Sequence, residues 1–412
     1  MKDWELENPD SVGINLRQPK GDPMEIVDVV IIGGGVMGSS IAYHLLNDGF
    51  DGKVIVLERD PTYEHSSTAL SVGGIRQQFG TTVNLDIARF SLPFYEKFDE
   101  LMEINGERPR ADFRQRGYLF LGRKEKWSVM KKLFEFQRSQ GLEVRLLKPE
   151  EILEIIPHLN LEGVVGGMFG PRDGYLDPHG VLQGFMKKAK SLGVRYMADE
   201  AVKISVGSNK VRGVQTKKGE WIQSPVVVNA AGPWAREVGA MVGVDIPVDP
   251  VRRMVYECKP PEELNYELPL TINTTGLYFR TETGGRILTG KSKEDEPIGF
   301  NFTYEKDLFY DEIWPELAYR IPLLDRLRLQ GGWAGLYEEN PLDHNAILGE
   351  HPEVQGFYMA VGFSGHGLMQ APAVGKALSE AIRLGRFETI DVTCLSIARF
   401  ETGQLVIEEA VI

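Results

Sequence analysis

The chain has 412 residues, 42% apolar and 25% charged, with a net charge of −13. That length and balance exclude a disordered polymer and predict a globular protein of two domains, and the acidic excess argues against a nucleic-acid partner. Its two cysteines, Cys258 and Cys394, form no CxxC pair and no zinc-ligand spacing, so neither a disulfide framework, nor a redox dithiol, nor a metal centre is expected.

Residues 1–24 are polar and carry several acids, and read as an N-terminal arm. They have neither the apolar stretch of a secretory signal nor the Arg-rich character of a presequence. No apolar run reaches the roughly 18 residues of a spanning helix. The expected location is cytoplasmic, with peripheral membrane association open.

The first structured stretch, "EIVDVVIIGGGVMGSSIAYHLLNDG", reads strand, glycine turn, helix, and "KVIVLE" supplies the next strand. Apolar residues on both faces predict parallel strands buried between layers. The turn spells Gly33-x-Gly35-x-x-Gly38. Here the first glycine makes the tight turn, the second admits a pyrophosphate, and the third lets helix and strand pack. Val36 and Met37 open the helix, whose N–H groups and dipole favour a diphosphate. Glu58 closes the second strand, where a carboxylate accepts from a ribose diol. A plain packing turn is the bland alternative. FAD and NAD both fit; a single fingerprint, plus a second glycine cluster near the C-terminus, favours the longer FAD.

Residues 84–160 are mainly helical in pattern, with a strand hairpin at "RQRGYLFLGR". "GYLDPHGVLQGFMKKAKSLG" predicts a helix opened by Pro178. Short strands follow through "VVVNAAG", then strands and turns over 250–330 ending in a helix, "YEKDLFYDEIWPELAYRI". "FYMAVGFSGHGLMQAPAVGKALSEAIRLG" returns to strand, glycine turn and helix. The expected fold is α/β: a Rossmann-like nucleotide-binding domain of discontinuous segments (25–90, 165–245 and 331–395) with an inserted mixed-sheet substrate domain (91–164 and 246–330) and a tail over 396–412.

"VIVLERD", "SSTALSVGGIRQQFG", "VVVNAAGPWA" and "GFSGHGLMQAPAVGKAL", with the glycine fingerprint, resemble the FAD-dependent amine and amino-acid oxidoreductases. That superfamily includes D-amino-acid oxidase, glycine oxidase, sarcosine oxidase and dimethylglycine dehydrogenase; the nearest subgroup is the FAD-dependent oxidoreductase domain-containing one, which has mitochondrial members. The resemblance implies that Gly33, Gly35 and Gly38 hold the FAD pyrophosphate and Glu58, with Arg59 beside it, the adenosine ribose. It places Ser66, Ser67 and Thr68 on phosphate and ribitol, the Val202 backbone on adenine, and Gly232 at the end of a strand passing the cofactor. Gly365, His366, Gly367 and Leu368 fall where a helix N-terminus faces the flavin pyrimidine ring.

The implied chemistry is oxidation of the C–N bond of a secondary amine or amino acid, of N-alkyl glycine or cyclic imino acid type, by hydride transfer to flavin N5. Arg76 matches a carboxylate-clamping arginine, against a structural salt-bridge role. Tyr278 matches the roof of the substrate pocket, against plain sheet packing. His366 completes the candidate catalytic group. Two departures stand out. Met369 and Leu288 occupy positions where monomeric sarcosine oxidases carry lysines, which favours a dehydrogenase over a fast oxidase. Leu70 stands where dimethylglycine dehydrogenases tether FAD through histidine, and His65 is offset, which favours non-covalent FAD. Partners are then a small amine and an electron-accepting protein or quinone. Two other readings stay open: a FAD-containing assembly protein for a respiratory complex, and an electron-transfer subunit of a hetero-oligomeric dehydrogenase.

Overall fold

The computed structural model describes residues 25–293 and 295–408. The expected arm 1–24 lies outside the described residues, as do 409–412 of the tail. A six-stranded sheet is ordered Ile347–Glu350, Phe357–Val361, Val226–Asn229, Val29–Ile32, Val54–Glu58, Arg195–Ala198. It is parallel throughout except for the Ile347–Glu350 edge. Its central strands alternate between two cores. Val29 and Ile31 face a helical layer, and Val30 and Ile32 face a smaller mixed sheet. Side chains on both faces are therefore apolar, since a parallel strand between two layers has no wet side.

In the helical layer, Val36–Asn47 crosses Gly367–Leu384 very closely. The Ser40 hydroxyl donates to the Ala371 carbonyl at 2.7 Å. A Cβ on Gly375 would sit 2.2 Å from the Ser40 oxygen, so this crossing requires glycine. The helix Thr82–Glu96 packs on the same layer, and its first turn is met by the buried Glu408 carboxylate, which accepts from Gly80 N–H at 2.8 Å.

The second domain is built on an eight-stranded sheet, ordered Arg328–Glu339, Asp249–Lys259, Arg286–Gly290, Tyr278–Glu282, Leu270–Ile272, Tyr118–Gly122, Gly166–Gly170, Arg145–Leu147. One face is covered by the helical segments Pro149–Ile155 and 306–320, whose apolar residues form its core. The other face looks at the six-stranded domain.

Several expectations are corrected here. Residues 114–123 form no hairpin. Tyr118–Gly122 is a single strand whose partners, Gly166–Gly170 and Leu270–Ile272, come from far along the chain. Gly166–Gly170 and all of Arg328–Glu339 belong to the larger sheet, so the segment boundaries expected at 165 and 331 shift. The helix expected over 304–321 is divided into Lys306–Leu308, a π-helical turn Phe309–Ile313 and Trp314–Arg320, with Pro315 in the first turn of the last piece.

Candidate active site between two glycine turns

One cavity, lined by residues of both large sheets, holds most of the expected site residues. It passes Gly33, Gly35, Glu58 and Arg59, then Ser66, Ser67 and Thr68, and ends among Arg76, Tyr118, Tyr278, Tyr337 and Gly365–Leu368. The fingerprint glycines have different reasons to be glycine. Gly33 adopts φ +102°, and a Cβ there would lie 2.3 Å from the Ala230 carbonyl oxygen. A Cβ on Gly38 would meet the Gly33 carbonyl oxygen at 2.0 Å. Both are dictated by the protein's own backbone. Gly35 is not: its φ is −60° and an added Cβ would be 3.6 Å from its nearest neighbour, Thr68 Oγ1. Only close approach by a ligand calls for glycine at that cavity-lining position. Gly38 itself does not line the cavity.

Around this turn, Val36 N–H donates to Thr68 Oγ1 at 3.2 Å, a cap brought in from a distant loop. The remaining first-turn N–H groups have no intrahelical acceptor. Glu58 accepts from Gly34 N–H and from Asp60 N–H, both at 2.8 Å. Burial raises its carboxyl above the usual range, opposed by those two amides and by Arg59. Arg59 stacks on Trp234, 3.6 Å from the ring centre, beside Gly232. The lining continues at Asp199, Glu200 and Ala201. Val202, expected to meet the adenine edge through its backbone, is 46% exposed and is not among the lining residues, whereas its neighbour Ala201 is. A register shift in the pairing with Lys210–Thr216 lies here, between Ala201 and Lys203.

The late turn joins Phe357–Val361 to Gly367–Leu384. It is tied to the Arg328–Glu339 strand: Gly362 N–H donates to Glu338 Oε2 at 2.9 Å, Ser364 N–H to the Glu338 carbonyl at 3.1 Å, and Asn340 N–H to Ser364 Oγ at 3.0 Å. Gly365 has φ +88°, and a Cβ on it would strike the Tyr337 ring at 2.4 Å. Desolvation pushes the Glu338 carboxyl up to about 8, partly offset by the Gly362 amide.

At this end Arg76 and His366 are both buried. Arg76 Nη2 lies 3.1 Å from His366 Nε2, and its Nη1 donates to the Gln78 carbonyl. Burial, Arg76 and His344 hold His366 well below the usual histidine range, so it is neutral near pH 7. A guanidinium only donates, so Nε2 is the acceptor and the ring proton sits on Nδ1. Phe79 packs edge-on to His366, and Arg76 lies over the same Phe79 ring. The Arg76 loop is fixed by Asp173, which accepts from Gln77 N–H at 3.0 Å and Gln78 Nε2 at 2.9 Å. Tyr278 lines the opposite wall, its hydroxyl 3.4 Å from the Met254 carbonyl. Met369 also lines the cavity, whereas Leu288 is buried and does not.

Tyr118, Tyr337, Glu338, Asp173 and Arg253 escaped the sequence reading. A usable signal existed for one: "RR" at 252–253 on an alternating strand must place one arginine on each face. Among the described residues no group of His, Cys, Asp and Glu could hold a metal ion, and no helix is long and apolar enough to cross a membrane.

A family model described as FAD dependent oxidoreductase (DAO) matches residues 28–381. FAD-dependent oxidoreductase domain-containing protein 1 of Xenopus laevis is 36% identical over 432 aligned positions, covering 96% of this chain and 87% of that protein. The L-proline dehydrogenase of P. horikoshii superposes with a TM-score of 0.84 at 32% identity, covering 93% of this chain and 100% of that one. Human mitochondrial sarcosine dehydrogenase is 28% identical, over 90% of this chain and 41% of its own length. With both glycine turns opening on one cavity, and with that match over most of its length, the chain belongs to the DAO family of FAD-dependent oxidoreductases.

Proposed function

We propose that the protein oxidises the C–N bond of a secondary amine or amino acid, of N-alkyl glycine or cyclic imino acid type, and passes the electrons to an acceptor other than oxygen. The observation that carries this reading is the buried Arg76–His366 pair, facing Tyr118 and Tyr278 across the cavity end where the late helix begins. The names of the relatives above, an L-proline dehydrogenase and a sarcosine dehydrogenase, support the substrate class.

In this reading the amides around Gly35, Val36 and Met37 hold the pyrophosphate. Glu58 takes the ribose with the lone pairs that Gly34 and Asp60 leave open, and Arg59 on Trp234 borders the adenosine end. Ser66, Ser67 and Thr68 meet the phosphate and ribitol, while Gly365, His366, Gly367 and Leu368 hold the pyrimidine edge. FAD, when bound, supplies the hydride-accepting N5. Arg76 brings positive charge to the substrate end. His366, neutral and already accepting from Arg76, acts as a positioning group and not as the base. Tyr118 and Tyr278 wall the amine and exclude water. The amine loses a C–H hydride and an N–H proton, and the resulting imine hydrolyses in solution. Met369 in place of lysine favours a dehydrogenase, and Leu70 in place of histidine favours FAD held without a covalent bond.

Anaerobic mixing of the FAD-loaded protein with L-proline, sarcosine, dimethylglycine and other N-methyl amino acids tests this. At least one should bleach the flavin band within minutes. No bleaching by any member of the panel would overturn the reading.

A further inference from the structure

Arg76 and His366 meet at 3.1 Å although 290 residues separate them in the chain, so their two segments must be held in register. Phe79 stands between them, its ring edge-on to His366 and under the Arg76 guanidinium. Ahead of Phe79, Asp173 fixes the loop through Gln77 and Gln78. Behind Phe79 the chain passes directly to Gly80 and Thr81, and there Glu408 takes over. Its Oε1 accepts from Gly80 N–H at 2.8 Å, and its Oε2 accepts from Thr81 Oγ1 at 3.2 Å and from Asn84 Nδ2 at 2.9 Å. The fit is close, since a Cβ on Gly80 would stand 3.0 Å from Oε1. Asn84 carries the connection onward: its Oδ1 accepts from Gln370 Nε2 at 3.0 Å, near the start of the helix that follows His366.

Glu408 is fully buried and is itself seated firmly. Its N–H donates to the Asp343 carbonyl at 3.1 Å, and Val406 N–H to Asp343 Oδ2 at 3.1 Å. Asp343 is in turn paired with the buried Arg399 at 2.7 Å. The helix Thr82–Glu96 has no side-chain cap from Thr81, and Glu408 fills that place with a charge that suits the positive end of a helix. A carboxylate that accepts from three donors at fixed lengths is a geometric tie, and shortening its arm breaks the set while leaving the charge. We propose that Glu408, outside the cavity lining, is a positioning residue for the cavity's inner end: it ties the loop 76–81 to the helix Gly367–Leu384 and so keeps Arg76 and His366 at their spacing. The assignment rests on the reading that puts the flavin pyrimidine edge at Gly365–Leu368, and goes beyond it to a side chain that no ligand touches.

The test is the midpoint potential of the bound FAD, measured on the full chain by equilibration with redox dyes, with FAD content and urea stability recorded for every variant. No amine is involved, so the result is separate from whether any substrate bleaches the flavin. Reduced flavin is the more negative form, and donors and positive charge held at its pyrimidine edge favour it. Arg76→Met is the reference and should lower the potential. Glu408→Asp, the same charge on a shorter arm, and Glu408→Ala should each weaken the preference for reduced over oxidised flavin about three- to tenfold, a fall of roughly 15–30 mV. Glu408→Gln keeps the length and one acceptor, and should lie closer to the wild type than Glu408→Asp does. Leu317→Ala, in the core of the second domain, controls for lost stability alone and should stay within about 5 mV. Should the alanine variant lose its FAD, the aspartate variant decides. The proposal is overturned if Glu408→Asp keeps the wild-type potential while Arg76→Met lowers it: unchanged glutamine and alanine variants would then mark a purely structural residue, and raised potentials in those two would mark an effect of charge alone. If Arg76→Met leaves the potential unchanged, the flavin placement falls and this proposal with it.

Discussion

The early turn at Gly33–Gly38 and the late turn at Gly362–Gly367 both carry the chain from a buried parallel strand into a helix, and both border the cavity. They are held by different means. The early turn is enforced by backbone: the Ala230 carbonyl crowds Gly33, and the Gly33 carbonyl crowds Gly38. The late turn depends on the second domain, through the Glu338 carboxyl, the Asn340 amide and the Tyr337 ring. The first is a rigid cradle complete within its own sheet; the second takes its shape only when the eight-stranded sheet is docked.

The contrast is open to attack by mutation. Gly33→Ala adds a Cβ against a backbone carbonyl at a left-handed φ, and should cost roughly 3–5 kcal/mol or prevent folding. Urea denaturation measures this, and a loss under about 1 kcal/mol would show that the early turn relaxes as readily as the late one. Glu338→Ala leaves the Gly362 amide without its acceptor and should cost about 1–3 kcal/mol. Its carboxyl is raised from 4.5 to about 8 in the folded protein, so its contribution is complete below the unfolded value and lost as pH rises through about 8. Wild-type stability should decline across that window, and Glu338→Gln should remove the decline. An equal decline in the glutamine variant would detach the late turn from Glu338. The smallest effect on folding belongs to Gly35→Ala, within about 0.5 kcal/mol. The same change should lower FAD retention after gel filtration about tenfold, equivalent to roughly 1.4 kcal/mol. Full retention would mean that nothing approaches Gly35 closely.

The same contrast separates what could be read in the amino-acid string from what could not. Gly33, Gly35, Gly38 and Glu58 follow one another within one strand–helix–strand unit, so local pattern sufficed to bring them together. Ser66–Thr68 and Gly365–Leu368 were placed through family likeness, and all seven positions line the cavity. Glu338 and Arg253 were missed because their importance arises from pairing between Asp249–Lys259 and Arg328–Glu339, which no short window contains. At Val202, beside a register shift, the lining residue is its neighbour Ala201, a local irregularity that no sequence pattern marks. The hairpin expected over 114–123 is one strand, Tyr118–Gly122, because its neighbours lie beyond residue 165 in sequence.

Arg328–Glu339 touches every part of this arrangement. Trp333 Nε1 donates to the Leu70 carbonyl at 2.8 Å, and Ser67 Oγ to the Leu336 carbonyl at 2.7 Å. Gly335 pairs with Arg253, and Glu338 grips the late turn. One strand thus joins the loop beside the first helix, the cavity-lining Arg253 and the turn that opens the second helix. A substitution along this one strand therefore bears at once on the loop at Ser67, on the cavity wall at Arg253 and on the late turn.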